Sequence, residues 1–331
     1  MANAQRKRTT KKPKKEEVVE DPRLKMMREA TRKVEFIDSM VVEKANFISH
    51  IPLSKECGKL MQKNGLGEYT NELGDRRLSA VFDNSDTVTY ITTSDFIANK
   101  WSAPVQAKGL GEGASNYPYL MPDGTTLYYA QKGENSIGGY DLFVTRYNPD
   151  NGSFLRSDNL GMPFSSEAND YLYVIDEQQQ LGYFVTDRRQ PEGKVCIYVF
   201  IPSNSRQVYP SEEYSEEQMK SLSELRRIAD TWGDKKEREA ALDRFKRAKA
   251  EFAERMKGKE SQTTLSELDK MRQEASNLEK WLAATRKTYA EASDEKKMAM
   301  REGLINSEQA LESLLLQIRQ KEKEERNKNY Q

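Results

Sequence analysis

The chain has 331 residues, a length typical of about two domains, and its 53 Lys and Arg balance 53 Asp and Glu. Net charge therefore indicates no class of partner. No run of residues approaches the roughly 18 apolar residues of a membrane-crossing helix, so the sequence predicts no integral membrane span. All 11 prolines, 15 of 18 glycines and 13 of 16 tyrosines precede residue 211. This change of composition predicts turn-rich β-structure before Pro210 and helix after it.

Residues 1–22 are predicted to form a disordered basic tail. Seven of the ten residues 6–15 are Lys or Arg, and such a block cannot bury apolar surface. Anionic lipid or nucleic acid would attract it, but nothing else in the sequence supports a nucleic-acid partner. Ala2-Asn3-Ala4 fits the small-residue pattern that ends a secretory signal peptide. We expect an exported chain whose signal peptide has been removed; an ordinary cytosolic N-terminus is the alternative.

Residues 23–75 are predicted to hold a short helix, a strand and a connector that join the β-domain. The helix is expected over 23–33 and the strand over 34–42, while 51–75 should be irregular. Cys57 and Cys196 lie before the first repeat and in the last predicted strand. They could form a disulfide if the sheet closes on itself. Two small buried residues are the other interpretation, and the sequence leaves both open.

A repeated β-motif occupies 76–210. Residues 117–129 and 171–184 each read as an apolar strand, an acidic turn and an aromatic strand, and 78–91 is a weaker copy. Repeated β-units of this kind indicate a repeat architecture. Such scaffolds usually present a binding surface and not a buried reaction centre.

The central unit is the clearest. Asp123-Gly124 between two β-runs predicts a hairpin, and Asn148 to Gly152 has the composition of a turn. These signals give a four-stranded antiparallel meander of about 50 residues, the size of a propeller blade. The last unit lacks an obvious fourth strand, which the strand at 34–42 could supply. About 3–4 blade units are predicted, and the sequence does not decide whether they form a closed ring. The alternatives are an open β-stack or a ring completed by a partner.

Residues 211–331 are predicted to be a coiled-coil-like helical bundle. Ser211 is the expected N-cap, and breaks near Gly233, Gly258 and Ser293 suggest about three helices in antiparallel hairpins. Two seams have the 3-4 spacing of coiled coils. They are Leu268, Met271, Ala275, Leu278, Leu282, Thr285, Tyr289 and Leu304, Ser307, Leu311, Leu314, Ile318. The predicted fold class is thus a β + α multidomain chain, with a β-propeller-like repeat domain followed by these helices.

Three phrases of the repeat region resemble a known family. They are Gly138-Gly139-Tyr140-Asp141-Leu142-Phe143-Val144-Thr145-Arg146, Asn159-Leu160-Gly161-Met162-Pro163 and Gly182-Tyr183-Phe184-Val185-Thr186-Asp187-Arg188. The pattern resembles the WD-type, TolB-like β-propeller repeat of Gram-negative cell-envelope proteins, and it covers 115–200 well and 76–110 weakly. The resemblance implies a periplasmic or outer-membrane-associated scaffold that engages envelope proteins or cell-wall material. The chain departs from the family in two ways. It has charged C-terminal helices, and it has no recognisable peptidoglycan-binding module.

The glycines and the charged residues of these phrases have structural explanations. Gly138 and Gly139 would permit the backbone geometry of a turn. Asp141 and Asp187 can accept backbone N–H groups or pair with an arginine at a strand end. The candidate arginines are Arg146, Arg188 and Arg189.

The sequence contains no recognisable catalytic constellation. His50 is the only histidine, and it has no local nucleophile, so a Ser-His-Asp or Cys-His arrangement is not indicated. Cys and His clusters for zinc are missing from the sequence. Residues 83–86 hint at calcium but read more simply as a β-turn. We therefore predict no catalytic, cofactor-binding or metal-binding residues.

The predicted function is a non-enzymatic scaffold that mediates protein–protein interactions in an envelope or secretion assembly. The helices would add a second contact or self-association. A glycan- or peptidoglycan-binding module is the alternative, with Trp101, Tyr117 and Tyr119 stacking on sugars. A hydrolase on a propeller scaffold is a weaker third hypothesis.

Overall fold

The computed structural model describes residues 21–83, 87–97, 100–203 and 205–328. The chain divides into two compact units, Met1–Lys249 and Ala250–Gln331. The predicted basic tail lies outside the described residues, except for Asp21 and Pro22.

The first unit begins with helix α1 (Pro22–Glu29). Asp21 caps it by accepting the backbone N–H of Arg23 at 2.8 Å, and proline at the first helical position needs no such partner. Strand β1 (Glu35–Glu43) follows, and a one-turn 3-10 helix spans Phe47–His50. The short helix and the strand expected before residue 43 are confirmed.

Sheet A is an antiparallel sheet in the next segment of chain. Its strands are β2 (Lys59–Lys63), β3 (Leu66–Thr70), β4 (Arg76–Phe82), β5 (Thr89–Ile97), β6 (Lys100–Trp101) and β7 (Val105–Gln106). The prediction of an irregular connector over 51–75 is wrong, because β2 and β3 form a hairpin there. Asn64 and Gly65 at its tip have φ of 52° and 76°, the geometry of a type I′ turn, which favours Asn-Gly.

Sheet B is the central meander. Its strands are β8 (Ala114–Leu120), β9 (Thr126–Lys132), β10 (Asp141–Asn148), β11 (Ser153–Phe154) and β12 (Asp158–Asn159). The predicted Asp123-Gly124 hairpin is confirmed, with Asp123 Oδ1 accepting the backbone N–H groups of Thr125 and Thr126 at 2.8 Å each.

Sheet C joins the two ends of the β-region. It contains β13 (Asp170–Asp176), β14 (Leu181–Thr186) and β15 (Lys194–Ile201), and β1 completes it in the order β1-β15-β14-β13. The β1–β15 register runs from Glu35 opposite Ile201 to Glu43 opposite Lys194. The expectation that the strand near 34–42 fills the gap in the last unit is confirmed.

Sheet B packs against both other sheets, because β8 contacts β3, β4 and β5 of sheet A and β13 of sheet C. Tyr119 on β8 is fully buried and touches all three sheets. Its ring meets Tyr69 of sheet A edge-on at 5.6 Å, and its hydroxyl donates to the Ile175 carbonyl of sheet C at 2.7 Å. The β-region of the first unit thus consists of antiparallel sheets that pack on one another, and a closed propeller is not shown within the described residues.

Gly138 and Gly139, the paired glycines before β10, are needed because there is no room for a side chain, and not because the backbone adopts a turn conformation that favours glycine. A Cβ on Gly138 would lie 2.3 Å from the backbone of Glu167, and one on Gly139 would lie 2.0 Å from Asn169 Oδ1. Neither glycine has a positive φ. The loop before β10 therefore contacts the loop before β13 so closely that a side chain cannot fit.

The C-terminal part is helical. It contains α2 (Glu216–Glu224), a 3-10 turn at Ile228–Thr231, α3 (Lys235–Glu291) and α4 (Asp294–Lys328). The N-cap of α2 is Ser215, in a capping box with Gln218, and not Ser211 as predicted. The predicted breaks near Gly233 and Ser293 are confirmed. The one near Gly258 is wrong, since an interior glycine costs a helix only about 1 kcal/mol.

The start of α3 belongs to the first unit. Phe245 packs on Tyr183 of sheet C with ring centroids 6.4 Å apart, and Ala241 and Ala248 are buried beside it.

The second unit contains an antiparallel pair formed by α3 and α4. Leu268 and Ala275 of α3 are buried with Ile318 of α4, which confirms those seam positions. Arg272–Glu322 and Arg286–Glu308 ion pairs, each 2.7 Å, connect the same two helices.

The contacts of Tyr119 generate a stability prediction. Tyr119→Phe should lower the free energy of unfolding by about 1–3 kcal/mol, because the Ile175 carbonyl loses the Tyr119 hydroxyl as a donor in a partly buried setting. Tyr119→Ala should cost about 3–5 kcal/mol. Urea unfolding followed by tryptophan fluorescence measures both, with Tyr90→Phe on β5 as the control. A loss for Tyr119→Phe no larger than that for the control would contradict the assignment.

Candidate functional site

A groove of about 540 Å³ opens in the first unit, between sheet A and the β8–β9 turn of sheet B. The 71–76 turn and the end of β5 line it on the sheet A side, and 120–124 line it on the sheet B side. Tyr69, Leu120 and Met121 are its buried lining residues. Its volume falls in the range of ordinary binding pockets, about 300–1,000 Å³.

Large apolar side chains stand exposed along this groove. Leu73 is 80% exposed, Ile97 67% and Phe96 41%. The Phe96 ring lies 5.3 Å from the Trp101 ring, whose face carries the Arg77 guanidinium at 4.0 Å. Exposed apolar side chains gathered at a concave surface mark interaction sites in soluble proteins.

The turn that presents Leu73 is held by one side chain. Asn71 Oδ1 accepts the backbone N–H groups of Asp75 at 3.0 Å and Arg76 at 2.9 Å, and its Nδ2 donates to the Asp75 carboxylate at 2.6 Å. The Gly74 N–H closes the turn on the Asn71 carbonyl at 3.0 Å. The turn that carries the exposed Leu73 is therefore already ordered, so a partner would not have to order it on binding.

The groove is acidic. Its lining includes Glu56, Glu72, Asp75 and Asp95 but one basic side chain, Arg76. Arg76 Nε is 2.9 Å from Asp95 Oδ1, so that pair is internally neutral. The other three carboxylates have no opposite charge among the lining residues, which gives the groove a negative field.

The residues predicted to stack on sugars are not brought together. Tyr117 is 3% exposed and packs on Phe47 at 5.3 Å and Tyr171 at 5.7 Å, while Tyr119 is fully buried. Neither tyrosine can reach a ligand, so the prediction is wrong for both. Trp101 lies partly exposed beside Phe96.

The two cysteines are unpaired and buried, so of the two interpretations the disulfide is wrong. Burial raises the pKa of the Cys57 thiol to about 12, which leaves it protonated at neutral pH and unreactive as a nucleophile. His50 lies exposed at the end of the 3-10 helix Phe47–His50.

Within the described ranges, no group of three or more His, Cys, Asp or Glu could hold a metal ion. Asp83 accepts the backbone N–H groups of Thr87 at 2.9 Å and Val88 at 3.1 Å. Asn84, Ser85 and Asp86, the rest of the calcium hint, lie outside the described residues.

Asp141 and Asp187 accept backbone N–H groups, as predicted. Asp141 Oδ2 accepts the Ile137 N–H at 2.9 Å, and Asp187 Oδ1 accepts the Asn169 N–H at 2.9 Å. Asp187 Oδ2 also accepts the Tyr171 hydroxyl at 2.6 Å. The Asp141 carboxylate thus holds the backbone of the loop before β10, and the Asp187 carboxylate holds the backbone just before β13.

Two of the three candidate arginines have partners other than Asp141 and Asp187. Arg188 forms a buried ion pair with Asp170 at 2.8 Å. Arg189 donates to the carbonyls of Glu224 and Leu225 at 2.7 and 2.6 Å and so caps the C-terminal end of α2. Arg146 is exposed.

Two comparisons with known proteins are negative. No protein-family description matches the sequence, and no curated protein matches it.

In the part of the chain that the structure describes, none of the helices combines the length and apolar character that crossing a bilayer needs.

Sequence reasoning missed the groove. Leu73 lies in Asn71-Glu72-Leu73-Gly74-Asp75, an otherwise polar turn. A large apolar residue in such a turn is a signal that could have been read. Phe96 and Ile97 carry no comparable signal, because they continue the apolar pattern of β5.

Asp141 generates a pH prediction. Its side chain is fully buried, and burial raises its pKa to about 7. The folded state then binds a proton more tightly than the unfolded state. Stability from this group is fully present below about pH 4 and is lost as pH rises towards 7. Relative to Asp141→Asn, the wild type should lose free energy of unfolding across that window.

Urea unfolding at pH 5 and pH 8 measures this difference, with the exposed Asp158→Asn as the control. A wild-type-minus-variant difference that does not change with pH would refute the assignment.

Proposed function

We propose that this chain is a non-enzymatic scaffold that binds a protein partner through the groove of sheet A. The observation that carries the proposal is the exposure of Leu73, Phe96 and Ile97 on a pre-organised concave surface. Aromatic and aliphatic anchors around a pocket are what protein interfaces use to gain binding energy.

We further propose that the sheets are propeller-like repeats of the TolB-like, WD-type kind. Supporting this, the two best sequence copies share a local irregularity. The register of β8 shifts between Asn116 and Tyr119, and that of β13 shifts between Asp170 and Leu172. The corresponding residues Tyr117 and Tyr171 pack on each other.

The proposed setting is an envelope or secretion assembly, in the periplasm or at the outer membrane. This rests on the family resemblance of the phrases between residues 138 and 188. The helices of the second unit would supply a further contact or self-association, since Ile305 and Leu316 of α4 are 44% and 59% exposed.

A glycan-binding module is the second candidate. The Phe96–Trp101 pair beside the groove favours it, because the Phe96 ring is exposed and aromatic rings also stack on sugars. Saturable binding of purified cell-wall polysaccharide, lost in Trp101→Ala and unaffected by Leu73→Ser, would favour this function over the scaffold.

The scaffold is tested by crosslinking the tagged full chain in detergent-solubilised envelope and identifying partners by mass spectrometry. We expect a stoichiometric membrane or secretion component whose crosslinks fall by on the order of tenfold in Leu73→Ser/Ile97→Ser. Val41→Ser/Leu155→Ser is the matched control, because both residues are exposed and apolar but lie outside the groove.

An equal yield of the same partner with both double variants would show that the groove is not the binding surface. Trace capture of abundant proteins alone would count against the scaffold itself.

A further inference from the structure

We infer that the groove of sheet A recognises a polypeptide segment that presents basic side chains next to apolar ones. The inference rests on the proposed scaffold function and names the chemistry of its partner.

The first argument is charge. Glu56, Glu72 and Asp75 are exposed and are left without an opposite charge among the residues of the groove. A partner with Lys or Arg would gain favourable electrostatic energy and a faster encounter rate. Nucleic acid and anionic lipid carry the wrong charge for this surface.

The second argument is the placement of apolar area within that acidic surface. Leu73 lies between Glu72 and Gly74 on the turn, and Phe96 and Ile97 follow directly after Asp95. Charged and apolar contacts are thus interleaved within a few ångströms along the chain. A purely cationic ligand would leave the apolar side chains in water, and a purely apolar ligand would desolvate the carboxylates without compensation.

The third argument is that the main chain bordering the groove is already hydrogen-bonded. The Phe96 N–H donates to the Asp75 carbonyl at 2.6 Å, and the Met121 N–H donates to the Thr126 carbonyl at 2.8 Å. Ile97 pairs with Lys100 of β6. A partner therefore gains little from strand addition here, and its side chains must provide the selectivity.

The test uses three labelled peptides of about ten residues and fluorescence anisotropy on the full chain. One peptide alternates Lys, Gly and Leu, the second has Glu in place of Lys, and the third has Ser in place of Leu. We expect saturable binding of the Lys/Leu peptide, on the order of tenfold tighter than the other two, and weaker binding as salt rises and screens the charges.

Charge reversal at the groove is the decisive variant. Glu56→Lys/Glu72→Lys should transfer the preference to the Glu/Leu peptide, and both positions are on the surface, so the fold should persist in a thermal melt. Glu177→Lys/Glu192→Lys changes two exposed acids outside the groove and should keep the original preference.

Equal binding of the Lys/Leu and Glu/Leu peptides, or an unchanged preference after charge reversal, would overturn the inference. The two proposals fail separately. If Leu73→Ser/Ile97→Ser loses its crosslinked partner while the charge-reversed chain keeps it, the scaffold stands and the basic partner does not. If the peptides behave as expected but no envelope partner is captured, the groove chemistry stands and the proposed assembly does not.

Discussion

The arrangement of the β-region depends on Tyr119, whose side chain contacts both sheets that enclose its own. Its ring fixes the distance to Tyr69 of sheet A, and its hydroxyl fixes the position of the Ile175 carbonyl of sheet C. A buried hydroxyl without a partner would cost several kcal/mol in an apolar core, so the 2.7 Å hydrogen bond restricts how β8 and β13 slide past each other. The same contacts position part of the groove. Tyr69, which packs on the Tyr119 ring, and Leu120, which follows Tyr119 in the sequence, both line it.

Much of the fold was predictable because its signals are local. The Asp123-Gly124 turn and the alternation after Tyr140 define the central meander, and the 3-4 spacing defines the α3–α4 seam. The β2–β3 hairpin was missed although Asn64-Gly65 marks it. Strand β2 is a polar edge strand, with Lys59, Met61 and Lys63 exposed. Such a strand lacks the apolar alternation by which a strand is recognised.

The candidate site was not predictable, for two physical reasons. Sheet B lies between two other sheets, so β8 is buried on both faces and the aromatic character of Tyr117 and Tyr119 does not indicate exposure. The groove itself depends on tertiary structure. Leu73 and Ile97 line the same groove because Arg76 lies opposite Asp95 in the β4–β5 register. No periodicity within one segment encodes that neighbourhood.

The pairing of β1 with β15 sets the order in which this domain can be completed. Residues 35–43 find their partners at 194–201, so roughly 150 residues must be synthesised and placed before sheet C gains its last strand. Closing so long a loop is slow compared with forming the local hairpins of sheets A and B. Until then the edge of β15 is unpaired and able to bind another strand. A nascent chain therefore carries β1 unpaired until β15 is in place, and anything that holds β1 back delays the completion of sheet C.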